Sequence, residues 1–334
     1  MSGAAVAALL ADPSRASTLD AEAWTGILCA ARAERLLASL AQHLDGLDLP
    51  DDVQSVLDSA RADAEVGRTE ALWEAEMTRR ALAPLGVPVV LLKGTAFIAA
   101  GLDAGQGRLI GDLDILVPRD RLDEVEAALL AAGWEWVKPD PYDDEYYRRW
   151  MHELPPLIHA TRDRMIDVHH TILPLTARPT PDAAALIAAS TPLENGLRVL
   201  CPEDMIVHAA AHLLADGDLA GGLRNLWDID RLVREFDDEG FWTKLDTRAR
   251  LHGLVEAVTR SLRLSTDLFG TPIPDRHDRW HRKDKWYRAR LLARDGWGRP
   301  MRPLPRLIFY IRSHRLRMPP LMLARHLWTK WRKG

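Results

Sequence analysis

A short apolar run, Asp112-Leu-Asp-Ile-Leu-Val117, carries two carboxylates two residues apart in a segment that otherwise reads as a buried strand. Side chains at i and i+2 of a strand project from the same face. At roughly 6–7 Å between Cα atoms, two ionised carboxylates repel unless a cation lies between them. Leu113, Ile115, Leu116 and Val117 give the strand no structural use for the acidic pair. Mg2+ resolves the conflict, because it prefers carboxylates together with substrate phosphates and water.

The flanking sequence predicts an α+β chain, with a small mixed sheet between helical regions. Residues 1–85 are rich in Ala, Leu, Glu and Arg, with apolar residues such as Ile27, Ala31, Leu36, Leu37 and Leu40 at helical spacing. Asp51 is the expected cap of one or two long helices over Val53–Leu85. Val87–Leu92, Asp112–Val117 and Trp134–Val137 read as strands, with a helix over Arg121–Ala132 ended by Gly133. Pro156–Ala160 and Met165–His169 read as a hairpin turning at Thr161–Arg164. From Pro181 the pattern is helical again, with helices over Pro202–Leu214 and Leu223–Phe236 and two more over Phe241–Leu268. Four regions are expected: a helical region over 1–85, an α/β core over 86–175, a helical domain closing a nucleotide cleft over 176–275, and a basic, aromatic-rich helical tail over 276–334.

A third carboxylate, Asp167, lies in the apolar run Met165-Ile-Asp-Val-His169. If that strand pairs beside the first, three acids converge, which is the composition of a two-metal site for phosphoryl or nucleotidyl transfer. Upstream, Lys93-Gly-Thr95 ends a strand and opens a helix, where backbone N–H groups can meet an anion. Gly94 allows close approach, Thr95 adds a hydroxyl and Lys93 a charge. The glycine spacing of a P-loop is missing.

A strand ending in Lys93-Gly94, then Arg108-Leu-Ile-Gly-Asp-Leu-Asp-Ile-Leu-Val117, then Ile166-Asp-Val-His169, resembles the DNA polymerase β-like nucleotidyltransferase superfamily. More narrowly, it is similar to a bacterial family of largely uncharacterised nucleotidyltransferases that often accompany exopolysaccharide or modified-peptide biosynthesis. The resemblance covers 86–172 and, more weakly, 199–236. Where the superfamily usually has Gly-Ser or Gly-Gly, this chain has Lys93-Gly94-Thr95. The resemblance implies that Asp112 and Asp114 bind two metal ions, Mg2+ with Mn2+ as the alternative. Asp167 would complete the metal site and help activate the attacking hydroxyl, and Gly94 and Thr95 would hold the triphosphate. Arg108 fits a phosphate contact by position, and Lys93 is expected beside it. The implied reaction moves a nucleoside monophosphate from an NTP, with ATP the expected donor, to a hydroxyl or phosphate of a small molecule, saccharide or modified peptide. Other readings keep the fold and change the outcome: transfer to RNA or protein, as in a toxin-like enzyme; phosphoryl or glycosyl transfer; or nucleotide binding without turnover.

Other features are weaker. His169 shares a strand face with Asp167 and can orient a carboxylate or simply fill structure. His208 and His212 stand at i and i+4 on an expected helix, a spacing that can bind zinc, yet neither a HExxH glutamate nor a third ligand accompanies them. A place for one of them in the nucleotide or acceptor cleft is the better expectation. Asp228 and Asp230 also read Asp-x-Asp, but on a helix they point about 200° apart, so helix surface is the expectation there.

Of 334 residues, 47% are hydrophobic and 28% charged, which suits a globular protein. No run of about 18 apolar residues is present, and the N-terminus lacks a positive stretch, so neither a spanning helix nor a signal peptide is expected. Cys29 and Cys201 form no pair motif, which suits a reducing cytoplasm. The net charge of -4 hides a split: Arg279–Gly334 holds 17 Lys/Arg against Asp284 and Asp295. Nucleotide phosphates, an anionic membrane surface, nucleic acid (the weaker option) or the acidic body of the chain itself could meet this tail. Its aromatics, among them Trp280, Trp286, Trp297, Tyr310, Trp328 and Trp331, suit interfacial helices over 304–311 and 321–328, or ordinary packing.

Overall fold

The structure is a computed structural model and describes residues 2–317; the 321–328 segment, Trp328 and Trp331 lie outside the described residues. Four helices open the chain: α1 (Ser2–Ala11), α2 (Ala21–Ala33), α3 (Leu37–His43) and α4 (Asp51–Leu82). Asp20 caps α2, its carboxylate accepting the Ala23 N–H at 2.8 Å. The stretch predicted as one or two helices is a single helix of 32 residues. Asp51 is not its cap: it is the first helical residue, preceded by Pro50, and with Asp52 it favours the positive end of the dipole.

Beyond Gly86, which turns the chain with φ 62°, lie β1 (Val90–Leu91), α5 (Lys93–Ala99), β2 (Asp112–Leu116), α6 (Leu122–Ala131), β3 (Trp134–Trp136), α7 (Pro141–Trp150), β4 (Leu157–His159) and β5 (Met165–His169). The expected hairpin forms, β4 antiparallel to β5. Its turn is tied to α4, where Arg162 donates to Glu74 at 2.6 and 2.9 Å and Arg164 pairs with Glu70. α8 (Ala183–Ala189), β6 (Thr191–Pro192) and β7 (Arg198–Val199) follow. The two last strands interrupt a region expected to be helical throughout. Two residues of strand carry no periodicity, so they leave no signature in sequence.

The seven strands form one mixed sheet in the order β3-β4-β5-β2-β1-β7-β6. β2 is antiparallel to β1 and parallel to β5. The connection from β2 to β5 runs through α6, β3, α7 and β4, which lets β5 return alongside β2 in the same direction. This is the α+β architecture expected.

After the sheet come α9 (Pro202–Ala210), a π-helical turn over Ala211–Asp216, α10 (Gly222–Phe236), α11 (Phe241–Leu251), α12 (Val255–Phe269), α13 (Asp284–Leu291) and α14 (Pro303–Arg317). One hydrophobic core joins the parts, running from Val6 through Val90, Ile115 and Val168 to Leu226, Leu262 and Phe309. The described part of the basic tail packs on the acidic body. Arg294 donates to Glu34 at 2.6 Å and Arg288 to Asp267 at 2.6 Å. The tail's own Asp284 is fully buried between Arg260 and Arg263 of α12. On α14, Leu304, Leu307, Ile308 and Ile311 are exposed. Among the described residues, no helix is long and apolar enough to cross a membrane.

Candidate functional site

The parallel β2–β5 ladder sets Asp114 directly beside Asp167, with Asp112 beside Met165. Asp112 and Asp114 share a face of β2, as the alternation of strand side chains requires. The three carboxylates converge, each offering an oxygen within 4.8 Å of the others. Asp112 lies exposed at the strand's start, whereas Asp114 is 2% exposed. Asp167 Oδ1 is buried and accepts no hydrogen bond. Such an acceptor costs free energy unless something else meets it. Burial, then the charges of Asp114 and Glu153, push the Asp167 carboxyl up to about 7.

Lys93 answers part of this charge. It occupies the left-handed backbone region at φ 49°, which costs an L-residue about 1–2 kcal/mol. Its Nζ reaches Asp114, donating to Oδ1 at 2.6 Å. The preceding Leu92 N–H donates to the Asp114 carbonyl at 2.9 Å, holding the loop against β2. Burial opposes the charged form of Asp114, but Lys93 and a hydrogen bond from His169 outweigh it, and its carboxyl is held below the usual range. Lys93 in turn is raised: burial works against its charge, and Asp114, Asp112 and Asp167 overcome that.

His169 and its surroundings extend the site further than sequence showed. His169 Nε2 lies 2.9 Å from Asp114 Oδ1, on the same oxygen that takes Lys93. Glu153 forms a β-bridge to His169, and its Oε2 lies 3.4 Å from His169 Nδ1 and 3.6 Å from His152 Nε2. Tyr147 on α7 stands within the field of Glu153 and Asp167; burial and those charges raise its hydroxyl to about 12. Neither His152, Glu153 nor Tyr147 was legible as a site residue. Only the adjacent His-Glu pair in Met151-His-Glu-Leu154 could have marked them.

Gly94, Thr95 and Arg108 surround the same corner. Gly94 and Thr95 lie in the first turn of α5 and are buried. The Arg108 side chain lies across Gly94: a Cβ there would come within 2.3 Å of Arg108 Nε and 2.4 Å of Ile110 Cδ1. Gly94 thus admits a close approach, and what approaches is Arg108. Arg108 pairs with Asp228 of α10, which also accepts from buried Arg224. Thr95 lines a small crevice with Ile110, Asp112 and Met165.

The helical region meets the site at α9 and α10. His208 is buried and His212 exposed, and both lie within the field of Lys93, Asp114 and His169. Both stand on one continuous helical run, which passes from α at Ala210 to π at Ala211 between them. Neither belongs to a group of metal-ligating side chains among the described residues. His212 also borders a cavity of about 360 Å3 lined by Asp218, Asn225, Tyr310 and His314. Asp228 and Asp230 correct an expectation. Both are buried, not on the helix surface. They do point apart: Asp228 meets Arg108 and Arg224, while Asp230 takes Arg231, Arg234 and the Thr271 hydroxyl.

The sheet thus sets three carboxylates together beside a lysine, a donor set that suits a hard divalent cation. The chain belongs to a family of nucleotidyltransferases, described as uncharacterised, whose model matches residues 20–270. No curated protein and no solved structure matches it. The protein is therefore a nucleotidyltransferase enzyme, and its three converging acids could hold a metal ion.

Proposed function

We propose that this enzyme moves a nucleoside monophosphate from an NTP, with ATP as donor, to a hydroxyl or phosphate of a small molecule, saccharide or modified peptide. The observation that carries this reading is the convergence of Asp112, Asp114 and Asp167, with Asp167 Oδ1 buried and unmet by any hydrogen bond. An all-carboxylate set suits hard divalent ions, and two Mg2+ (or Mn2+) held there would supply charge to both the attacking and the leaving oxygens.

The chain's own residues do the rest. Lys93, paired with Asp114, and Arg108, which lies across Gly94, would draw the triphosphate, with Thr95 beside Asp112. Gly94 leaves Arg108 room to lie at the mouth of α5. The acceptor oxygen attacks the α-phosphorus and forms the new P–O bond. The bond from the α-phosphorus to the bridging oxygen breaks, and pyrophosphate leaves with the electron pair. Asp167, once ionised, takes the acceptor's proton. His212 lies within the field of the acids and borders the 360 Å3 cavity, so we assign that space to the nucleoside or the acceptor.

The test incubates the full chain with each labelled NTP, Mg2+ and candidate acceptors, water included, and follows pyrophosphate. Asp112→Ala and Asp114→Ala should abolish release. Equal release by variants and wild type would sink the assignment, and nucleotide binding without turnover across acceptors would favour a binding protein.

A further inference from the structure

We propose a second metal centre, for a late first-row divalent ion such as Zn2+, formed by His152, Glu153 and His169 behind the acidic triad. The three side chains each offer a ligand atom within 4.8 Å of the others. Both histidines converge on one oxygen: Glu153 Oε2 lies 3.6 Å from His152 Nε2 and 3.4 Å from His169 Nδ1. These are longer than good hydrogen bonds. They match the edge of a tetrahedron whose metal–nitrogen and metal–oxygen bonds are about 2.0–2.2 Å, an edge of about 3.4 Å. The imidazole rings, with centroids 5.2 Å apart, are also spaced as two ligands of one ion would be.

The bonding of His169 points the same way. Its Nε2 faces Asp114 Oδ1 at 2.9 Å, so in the neutral ring Nε2 carries the proton and Nδ1 presents a lone pair. That Nδ1 is buried and has no hydrogen-bond partner, in a residue 2% exposed. It is aimed at a carboxylate oxygen, so the lone pairs oppose each other unless a proton or a metal ion lies between them. A carboxylate accepting from the far nitrogen of a metal-bound histidine is the usual second layer of such centres, and here Asp114 supplies it. His152 is buried too, and in the neutral ring one of its nitrogens offers a lone pair.

The ligand set separates this centre from its neighbour. Two imidazoles and one carboxylate suit Zn2+, whereas three carboxylates suit Mg2+. The fourth position falls to water. Through the Asp114–His169 bond, the ion would fix the ring's tautomer and orient a carboxylate of the acidic triad.

The experiment uses the full-length protein, loaded with equimolar Zn2+ in Mg2+ buffer, gel-filtered, and analysed for metal. About one zinc per chain is expected, and Co2+ in its place should give the visible absorption of a tetrahedral ion. His152→Ala and Glu153→Gln should each weaken zinc binding by at least about 100-fold, more than loss of an outer partner does. Asp112→Asn should keep the zinc while losing nucleotidyl transfer, so this proposal and the reading of the triad fail separately. Wild-type protein that elutes free of zinc, or that carries two protons on His169 in its presence, overturns the centre. So does zinc that leaves with Asp112→Asn but stays with His152→Ala. The wild-type result stands even if a variant fails to fold.

Discussion

Asp114 and Asp167 are direct neighbours across the parallel β2–β5 ladder, yet their surroundings drive their carboxyls in opposite directions. Lys93 and His169 both reach Asp114 and hold it ionised. Asp167 has burial and the charges of Asp114, Glu153 and Asp112, and keeps its proton up to about pH 7. Separating two acids in this way is how a site keeps one charge fixed and the other available.

Stability should record this. Between about pH 4 and 7 the folded chain retains a proton on Asp167 that the unfolded chain has released. The folded state then binds more protons, so this group's stabilising contribution is lost as pH rises through that window. Asp167→Asn removes the titration. In chelator, wild-type stability minus that of Asp167→Asn should fall from pH 5 to pH 8, measured by urea unfolding. Mg2+ should shrink the change. A difference that stays flat with pH contradicts the assignment.

Lys93→Met keeps the stem and removes the charge from Asp114. Breaking a buried pair costs about 3–5 kcal/mol, and partial exposure of the lysine reduces that to about 2 kcal/mol. Denaturant melts in chelator should show this loss, and Mg2+ should recover part of it. The variant should also bind NTP more weakly, seen as a raised KM.

Gly94→Ala tests the close approach at α5. The added methyl displaces Arg108 and Ile110, both of which end in movable atoms, so the fold should survive. Misplacing Arg108 by about 1 Å should still cost on the order of 100-fold in kcat/KM. Wild-type turnover would show that Arg108 has no part in the reaction.

Two aspartates should separate stability from activity. Asp228→Asn leaves half-buried Arg108 and buried Arg224 without their anion, and should cost about 3–5 kcal/mol. Asp112→Asn removes an exposed charge that repels its neighbours, and should abolish turnover with the melting temperature unchanged or raised. Calorimetry and pyrophosphate release on the same preparations compare them.

What sequence revealed, and what it hid, follows the range of each interaction. Asp112 and Asp114 were legible because they conflict with a strand of Leu, Ile and Val. The β4–β5 hairpin was legible because its turn and its alternation are local. Asp167 needed only the guess that β5 lies beside β2, which the structure bears out. By contrast, Arg108 and Asp228 are 120 residues apart, and no local pattern joins them. Asp228 and Asp230 read as surface because, two apart on a helix, they point about 200° apart. The packing of α10 against α9 and α12 instead makes both internal, each held by arginines. His152 and Glu153 sit in a connection without periodicity, so only the fold brings them to His169.

The position of Arg108 has one more consequence. It rests on Gly94 of the catalytic corner and is held by Asp228 of the helical region. Only one nitrogen of this guanidinium meets Asp228, and its Nε has no hydrogen-bond partner. If Arg108 takes the donor's phosphate as proposed, one planar cation would bridge that phosphate and an aspartate of α10, and the charge felt by α10 would then depend on whether a nucleotide is bound.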